Sequence, residues 1–238
     1  LIDYFEESLA GSGNVYVCNS DKYSTGMLKT NNSFFIPESL NENYIELLLN
    51  ASVEREISLL LPQHDIEAFI ISRNRKYFLD NKIIPVVPNF NSTRICLDKY
   101  MTYQFLKKIG MPSLKTYLNI KSFLKDLKNE LVSFPIIIKP RFGFASRHCF
   151  KIESLDELVK SYDFLDIIVQ KEKLPFPLKS EKFKIIIQQY LEGKEYGADI
   201  INDFNGKYVG CFIKKKIAMR YGETEIAETI EMPLFQKY

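Results

Sequence analysis

The stretch FPIIIKPRFGFASRHCFKI, residues 134–152, sets the reading of this 238-residue chain. Ile136, Ile137 and Ile138 form a strand too apolar to face water, so the ammonium of Lys139 has to emerge at the strand's end. A short loop from Arg141 to Ser146, carrying Gly143 and Ala145, follows at once, and residues 147–152 read as the strand that returns across it. A lysine beside such a loop can hold phosphate oxygens, by its point charge from one side and by backbone N–H groups from the other. The plainer reading of the same residues is a solvated lysine at a strand end. No GK[ST] follows, so this is not a Walker A loop.

Upstream, helices and strands alternate. LIDYFEESLAG opens the chain with the spacing of an amphipathic helix, and NVYVCNS (14–20) and SFFIP (33–37) read as short strands. Tyr44, Leu47, Leu48 and Ala51 keep a helical period over 43–54, ISLLLP (57–62) is a buried strand, residues 65–81 are again helical, and IIPVVP (83–88) is a strand. That order predicts a parallel sheet. Residues 94–110 read as one helix, with Asp98-Lys99 an exposed charge pair on it. KTYLNI (115–120) is a strand and 122–131 a helix.

Downstream of the quoted stretch the pattern changes. Ser154 and Glu157 make a capping box and start a helix, while the lysines, glutamates and prolines of 164–184 read as an exposed connection. Residues 184–203 hold two apolar strands around a polar bend, and Asn205-Gly206 signals a hairpin turn. Antiparallel hairpins after α/β alternation predict a second lobe.

With 32 basic against 30 acidic residues, no broad surface for nucleic acid or an anionic membrane is indicated, so any phosphate site has to be local. Cys18, Cys96, Cys149 and Cys211 stand singly beside only two histidines, which is no zinc pattern and reads as reduced thiols in a cytoplasmic protein. No apolar run approaches membrane-spanning length. The chain opens inside a helix and ends at Met232–Tyr238 without a closing element, so truncation at both ends is expected, with a first strand upstream.

The third stretch is IIIQQYLEGKEYGADI, residues 185–200. Free backbone groups at Gln188 to Leu191 could meet the edge of an adenine, and the Glu195 carboxylate could accept ribose hydroxyl hydrogens; a surface hairpin with solvated charges is the alternative.

DKYMTYQFLKKIGMPSLKTY, FPIIIKPRFGFASRH, IIIQQYLEGKEYGADI and KKKIAMRYGE, in this order, resemble the ATP-grasp superfamily, most of all stand-alone relatives of the carbamoyl-phosphate synthase large subunit. The segment before them, including LLLPQHDIEAF, resembles the pre-ATP-grasp domain of that group. The resemblance implies an α/β fold, α+β in its second lobe. Its parts would be a Rossmann-like pre-ATP-grasp domain over 1–93, an ATP-grasp N-terminal lobe over 94–184 and the start of a C-terminal lobe over 185–238. It implies Lys99 and Lys139 as ATP-phosphate ligands and Arg141 to Ser146, with Gly143 and Ala145, as a lid that Phe142 and Phe144 would stiffen. Gln188, Gln189, Tyr190 and Leu191 become the adenine hinge, with Glu195 at the ribose and Lys215 and Arg220 toward the transferred phosphate and the substrate carboxylate. The activity implied is an ATP-dependent ligase that makes an acylphosphate for attack by an amine or another nucleophile. The alternatives are a non-catalytic ATP-binding module or an interaction subunit. The partners implied are ATP, Mg²⁺ and a small carboxylate, and, because related proteins often form dimers, a second copy.

Glu223, Glu225, Glu228 and Glu231 match no metal motif, so Mg²⁺ ligands are expected beyond residue 238. His64 and Asp65 follow a predicted strand, at the end where open α/β sheets place ligands; the resemblance matches Asp65 to an acidic position of the group, and the preferred reading is the cap of a helix from Ile66. His148 and Cys149 would point to opposite faces of a hairpin, which argues against a nucleophile pair.

Overall fold

The computed structural model describes residues 1–175, 177–220 and 223–231, with Glu223 through its backbone. Gly222 and the closing stretch 232–238 lie outside the described residues. The chain divides into two compact units, Leu1–Leu97 with Lys173–Ser180, and Asp98–Glu172 with Glu181–Tyr238.

The first unit carries α1 (Ile2–Leu9), β1 (Val17–Asn19), α2 (Thr25–Lys29), β2 (Ser33–Phe35), α3 (Tyr44–Glu54), β3 (Leu59–Leu60), α4 (Asp65–Arg73), α5 (Arg75–Asp80), β4 (Ile84–Pro85) and α6 (Phe90–Leu97). The strands pair in parallel, β1 with β2 and β3 with β4, as the helix–strand alternation predicts. Tyr44 and Leu48, one helical turn apart on α3, meet Ile36, Ile71, Phe78, Ile83 and Val87 in a single core. Two local expectations change. The helix expected over 65–81 is broken at Asn74, whose side chain turns back onto the Ile70 carbonyl. Helix α4 is capped by His64, whose Nδ1 accepts the Ile66 N–H at 3.2 Å, so the expected aspartate cap falls one residue earlier and on a histidine.

The second unit carries α7 (Lys99–Lys108), β5 (Thr116–Tyr117), α8 (Ile120–Lys128), β6 (Ile136–Pro140), β7 (Phe150–Ile152), α9 (Leu155–Lys171), β8 (Ile185–Gln189), β9 (Tyr196–Asn202), β10 (Tyr208–Arg220) and β11 (Glu223–Ile230). Strands β5, β8, β6 and β7 form one antiparallel sheet in that order, and β11, β10 and β9 form another. Ile136, Ile138, Ile185 and Ile187 pack with Phe123 of α8 and Leu158, Leu165 and Val169 of α9 in one core. Alternation along β6 therefore sends Ile137 and Lys139 to the other face of the sheet.

Helix α9 runs to Lys171, well into the segment expected to be an exposed connection, because Leu158, Leu165 and Val169 keep one buried stripe. Its start is the capping box read from the sequence: Ser154 Oγ accepts the Glu157 N–H at 3.3 Å. The Asn205-Gly206 turn is a five-residue loop closed by Asp203, whose Oδ1 accepts the N–H groups of Asn205 and Lys207. Strand β11, unexpected from the sequence, extends the second sheet. Among the described residues no helix is long and apolar enough to cross a membrane.

Candidate functional site

The single helix expected over 94–110 is two, α6 and α7, separated at Asp98. Asp98 is fully buried, not exposed, and its Oδ1 caps α7 by accepting the N–H groups of Tyr100 and Met101 at 3.0 and 3.2 Å. Lys99 is thereby the first residue of the helix. Its Nζ donates to the carbonyls of Gly143 at 2.7 Å and Arg141 at 3.5 Å, and its backbone N–H donates to the Arg141 carbonyl at 3.2 Å. The ammonium of Lys99 is thus held at the start of the loop that follows Lys139.

Lys139 lies on the sheet face away from α8 and α9. The register puts Lys139 opposite Ile186, Ile137 opposite Gln188 and Lys151, and Thr116 opposite Gln188. Directly opposed residues share a face, so Lys139, Ile186, Ile137, Gln188, Thr116 and Lys151 line one surface of the sheet. Gln188 is oriented there by donating Nε2–H to Thr116 Oγ1 at 3.0 Å. Burial holds the Lys139 ammonium below the ordinary lysine range, an effect that the nearby Cys149 thiol partly offsets. Among the described residues that ammonium has no hydrogen-bond or ion-pair partner, so the face presents a half-desolvated cation.

The loop itself adopts backbone that few side chains tolerate. Gly143 has φ 126°, and Ala145, Ser146 and His148 have φ 54°, 49° and 55°, in the left-handed region. The expectation that Phe142 and Phe144 both stiffen a lid changes for Phe142, which is 1% exposed and packs under the Arg141 guanidinium at 5.0 Å from ring centroid to Cζ. Arg141 is not at the loop's rim either. It is 5% exposed, and its fork donates to both Asp98 oxygens (2.8 and 2.6 Å), to Glu181 Oε2 (3.1 Å) and to the Phe183 carbonyl (3.2 Å). Burial alone would lower its pKa, but the hydrogen bonds and charges of Asp98 and Glu181 more than reverse this and raise it.

At the bend after β8, two of the N–H groups expected to be free are engaged. Gln189 N–H donates to the Lys115 carbonyl at 3.3 Å and Tyr190 N–H to the Pro135 carbonyl at 3.4 Å. Among the described residues the Leu191 N–H has no backbone partner, and the Leu191 side chain is 63% exposed. Tyr190 stacks beneath Lys151 Nζ, 4.7 Å from its ring centroid.

In the second sheet the alternation of Lys214, Lys215 and Lys216 is as the two-residue period predicts. Lys216 pairs with Glu195 and Lys214 with Asp199 on one face, whereas Lys215 sits opposite Tyr196 and approaches Glu228 at 3.9 Å on the other. Glu195 and Lys215, both candidates from the sequence, therefore do not share a face; it is Lys216 that meets Glu195 directly. Only the register of β9 on β10 discloses this. Arg220 is exposed near the end of β10 and contacts Glu225 at 3.2 Å. No three His, Cys, Asp or Glu side chains among the described residues lie together as a metal-holding group, and none of them is assigned to Mg²⁺.

The first unit is thus an α/β assembly of short parallel strands, and the second carries a sheet face with Lys139 and Lys151 beside a glycine loop and, as a separate sheet, an antiparallel hairpin. Residues 132–230 match the family model described as an ATP-grasp domain and residues 1–87 match that of a PylC-like N-terminal domain. The two matched segments resemble an ATP-grasp domain and, ahead of it, a PylC-like N-terminal domain. It is 30% identical over 115 residues to the D-alanine–D-alanine ligase of Thermotoga sp. (strain RQ2), covering 48% of this chain and 32% of that protein. The chain thus spans about a third of the length of the curated relatives it matches. Its fold is similar to that of an L-amino acid ligase from Bacillus licheniformis (TM-score 0.67, 14% identity, 100% of this chain and 56% of that one). It is also similar to the biotin carboxylase domain of Hydrogenobacter thermophilus 2-oxoglutarate carboxylase, solved with MgADP, ADP and bicarbonate (TM-score 0.66, 14% identity, 94% and 49%).

Proposed function

We propose that the second unit binds ATP and that the protein to which this chain belongs is an ATP-dependent ligase, which activates a small carboxylate as an acylphosphate for attack by an amine. The observation that carries this reading is the half-buried Lys139 ammonium, without a partner among the described residues, on the sheet face that also presents Gln188 and beside the loop that holds Lys99. A desolvated cation of this kind favours an anion, and a polyphosphate carries charge enough to engage more than one lysine. The similarity to proteins named D-alanine–D-alanine ligase and L-amino acid ligase supports an amine acceptor over a thiol. Carbamoyl-phosphate-like chemistry is the narrower form of the same reading, supported by the motif order alone.

In this reading Lys139 and Lys99 meet the phosphate oxygens, Leu191 N–H and the bend present backbone to the base, and Glu195 with Lys216 forms the polar pair from the second sheet. The catalytic contribution of such groups is placement and charge stabilisation of the moving phosphoryl group. Mg²⁺, where bound, would neutralise phosphate charge; the described residues assign it no ligands.

Calorimetric titration of the chain with ATP tests the reading, and an ADP-release screen against amino acids, small dicarboxylates and bicarbonate tests the activity. Micromolar ATP binding and ADP release that needs a carboxylate are the expected results; heat-silent titration removes the reading. The two faces of β10 give a second expected outcome. Lys216→Met weakens ATP binding by about 3- to 10-fold, the worth of one partly screened charge contact, whereas Lys215→Met has the smaller effect. The reverse order, read in the same titrations, would move the nucleotide to the Lys215 face.

A further inference from the structure

Asp98 and Arg141 are the charged side chains buried among the described residues, and they are buried against each other. The pair is bidentate, Nε to Oδ1 at 2.8 Å and Nη2 to Oδ2 at 2.6 Å, and Nη1 is occupied by Glu181 and the Phe183 carbonyl. Four of the five guanidinium N–H donors are therefore committed. The ring faces of Phe142 and Tyr100 stand 5.0 and 5.8 Å from Cζ. Two carboxylates around one guanidinium leave the cluster with a net negative charge, which repels phosphate. Arg141 is thus ill suited to the ligand role that its place in the loop implies.

What the cluster does control is Lys99. Asp98 caps the helix that begins at Lys99, and Arg141 fixes Asp98. The carbonyls of Arg141 and Gly143 then receive the Lys99 ammonium. The contacts close a ring: guanidinium to Asp98, Asp98 to the first turn of α7, and Lys99 back to the backbone of Arg141.

We propose that Arg141 is a positioning residue for the nucleotide site, not a nucleotide ligand: with Asp98 it sets the Lys99 ammonium at the base of the loop. This rests on the reading of the second unit as an ATP site. Simple electrostatics and positioning predict opposite signs for one variant. Asp98→Asn removes a negative charge near the anion, so a purely coulombic role predicts tighter ATP binding; loss of the bidentate clamp predicts weaker binding.

The test is calorimetric ATP titration of the full chain and its variants, with thermal unfolding to establish that each is folded. Asp98→Asn is expected to weaken ATP binding about tenfold, a loss of about 1.4 kcal/mol. Arg141→Lys, which keeps the charge and loses the fork, is expected to weaken it similarly, because lysine cannot make the paired contact. In a Lys99→Met background, Arg141→Lys is expected to cause no further loss, since its effect passes through Lys99. Tighter binding by Asp98→Asn, wild-type affinity in Arg141→Lys, or independent losses in the Lys99→Met background would overturn the positioning role. Wild-type chain that binds no ATP would instead overturn the functional reading beneath it. Should Arg141→Lys fail to fold, the sign of the Asp98→Asn effect decides.

Discussion

Asp98→Ala is expected to destabilise the second unit by about 3–5 kcal/mol, the cost of leaving a buried charge without its partner. The Arg141 guanidinium, 5% exposed, would keep Glu181 on one edge and lose both hydrogen bonds on the other. The same change uncaps α7, because Asp98 Oδ1 also accepts from Tyr100 and Met101, and cap loss alone costs about 0.5–2 kcal/mol. The chain has no tryptophan, so urea unfolding is best followed by far-UV circular dichroism. At about 1–3 kcal/mol per molar urea, the midpoint of the affected transition should fall by at least about 1 M. Asp98→Ala combined with Arg141→Met should recover much of the loss, since neither charge is then buried alone. A single-variant loss below about 1 kcal/mol would rank this pair with exposed ion pairs, and the clamp would lose its energetic basis.

Asp98 also marks where the sequence stops being informative. Its neighbours Ile95, Leu97, Tyr100, Met101, Phe105 and Leu106 carry an uninterrupted helical period, which hides the one local signal, an aspartate able to cap a new helix. The partner that holds the Asp98 carboxylate buried is Arg141, 43 residues later, and a contact that distant leaves no trace in a window of local pattern. Lys139 was legible for the opposite reason: three isoleucines and a following loop fix its place by strand geometry alone. The same holds for the alternation of Lys214 to Lys216, a local property of any strand. Which of those faces carries Glu195 depends on how β9 registers on β10, and the turn that sets this register is a five-residue loop closed by Asp203, longer than the Asn-Gly signal implies. Helix α9 was half legible. Its apolar stripe continues to Val169, but the flanking lysines, glutamates and prolines disguise it as a connection.

Lys139→Met is expected to weaken ATP binding by about 10- to 150-fold and, at neutral pH, to stabilise the free protein. The first effect follows from deleting a charge-assisted contact, worth about 1.5–3 kcal/mol in a partly desolvated site. The second follows from the direction of the pKa shift. Burial lowers the Lys139 pKa, so the folded state favours the neutral amine, and the ammonium costs stability at every pH below the depressed folded value. That cost fades as pH rises through the folded value toward the ordinary lysine value, where both states lose the proton. A methionine of similar length removes the cost throughout, so the stability difference between variant and wild type should shrink in the alkaline range. Bound phosphate reverses the shift by pairing with the ammonium, so in the same alkaline range wild-type binding should take up protons, and its apparent enthalpy should depend on the buffer's ionisation heat. Lys160→Ala, an exposed lysine on α9, supplies the comparison and should alter neither property. Opposite signs for stability and affinity at one residue mark a cation kept for its ligand and not for the fold. If Lys139→Met left ATP affinity within about twofold of wild type, or destabilised the free chain, Lys139 would be a structural lysine and the nucleotide would have to be sought elsewhere.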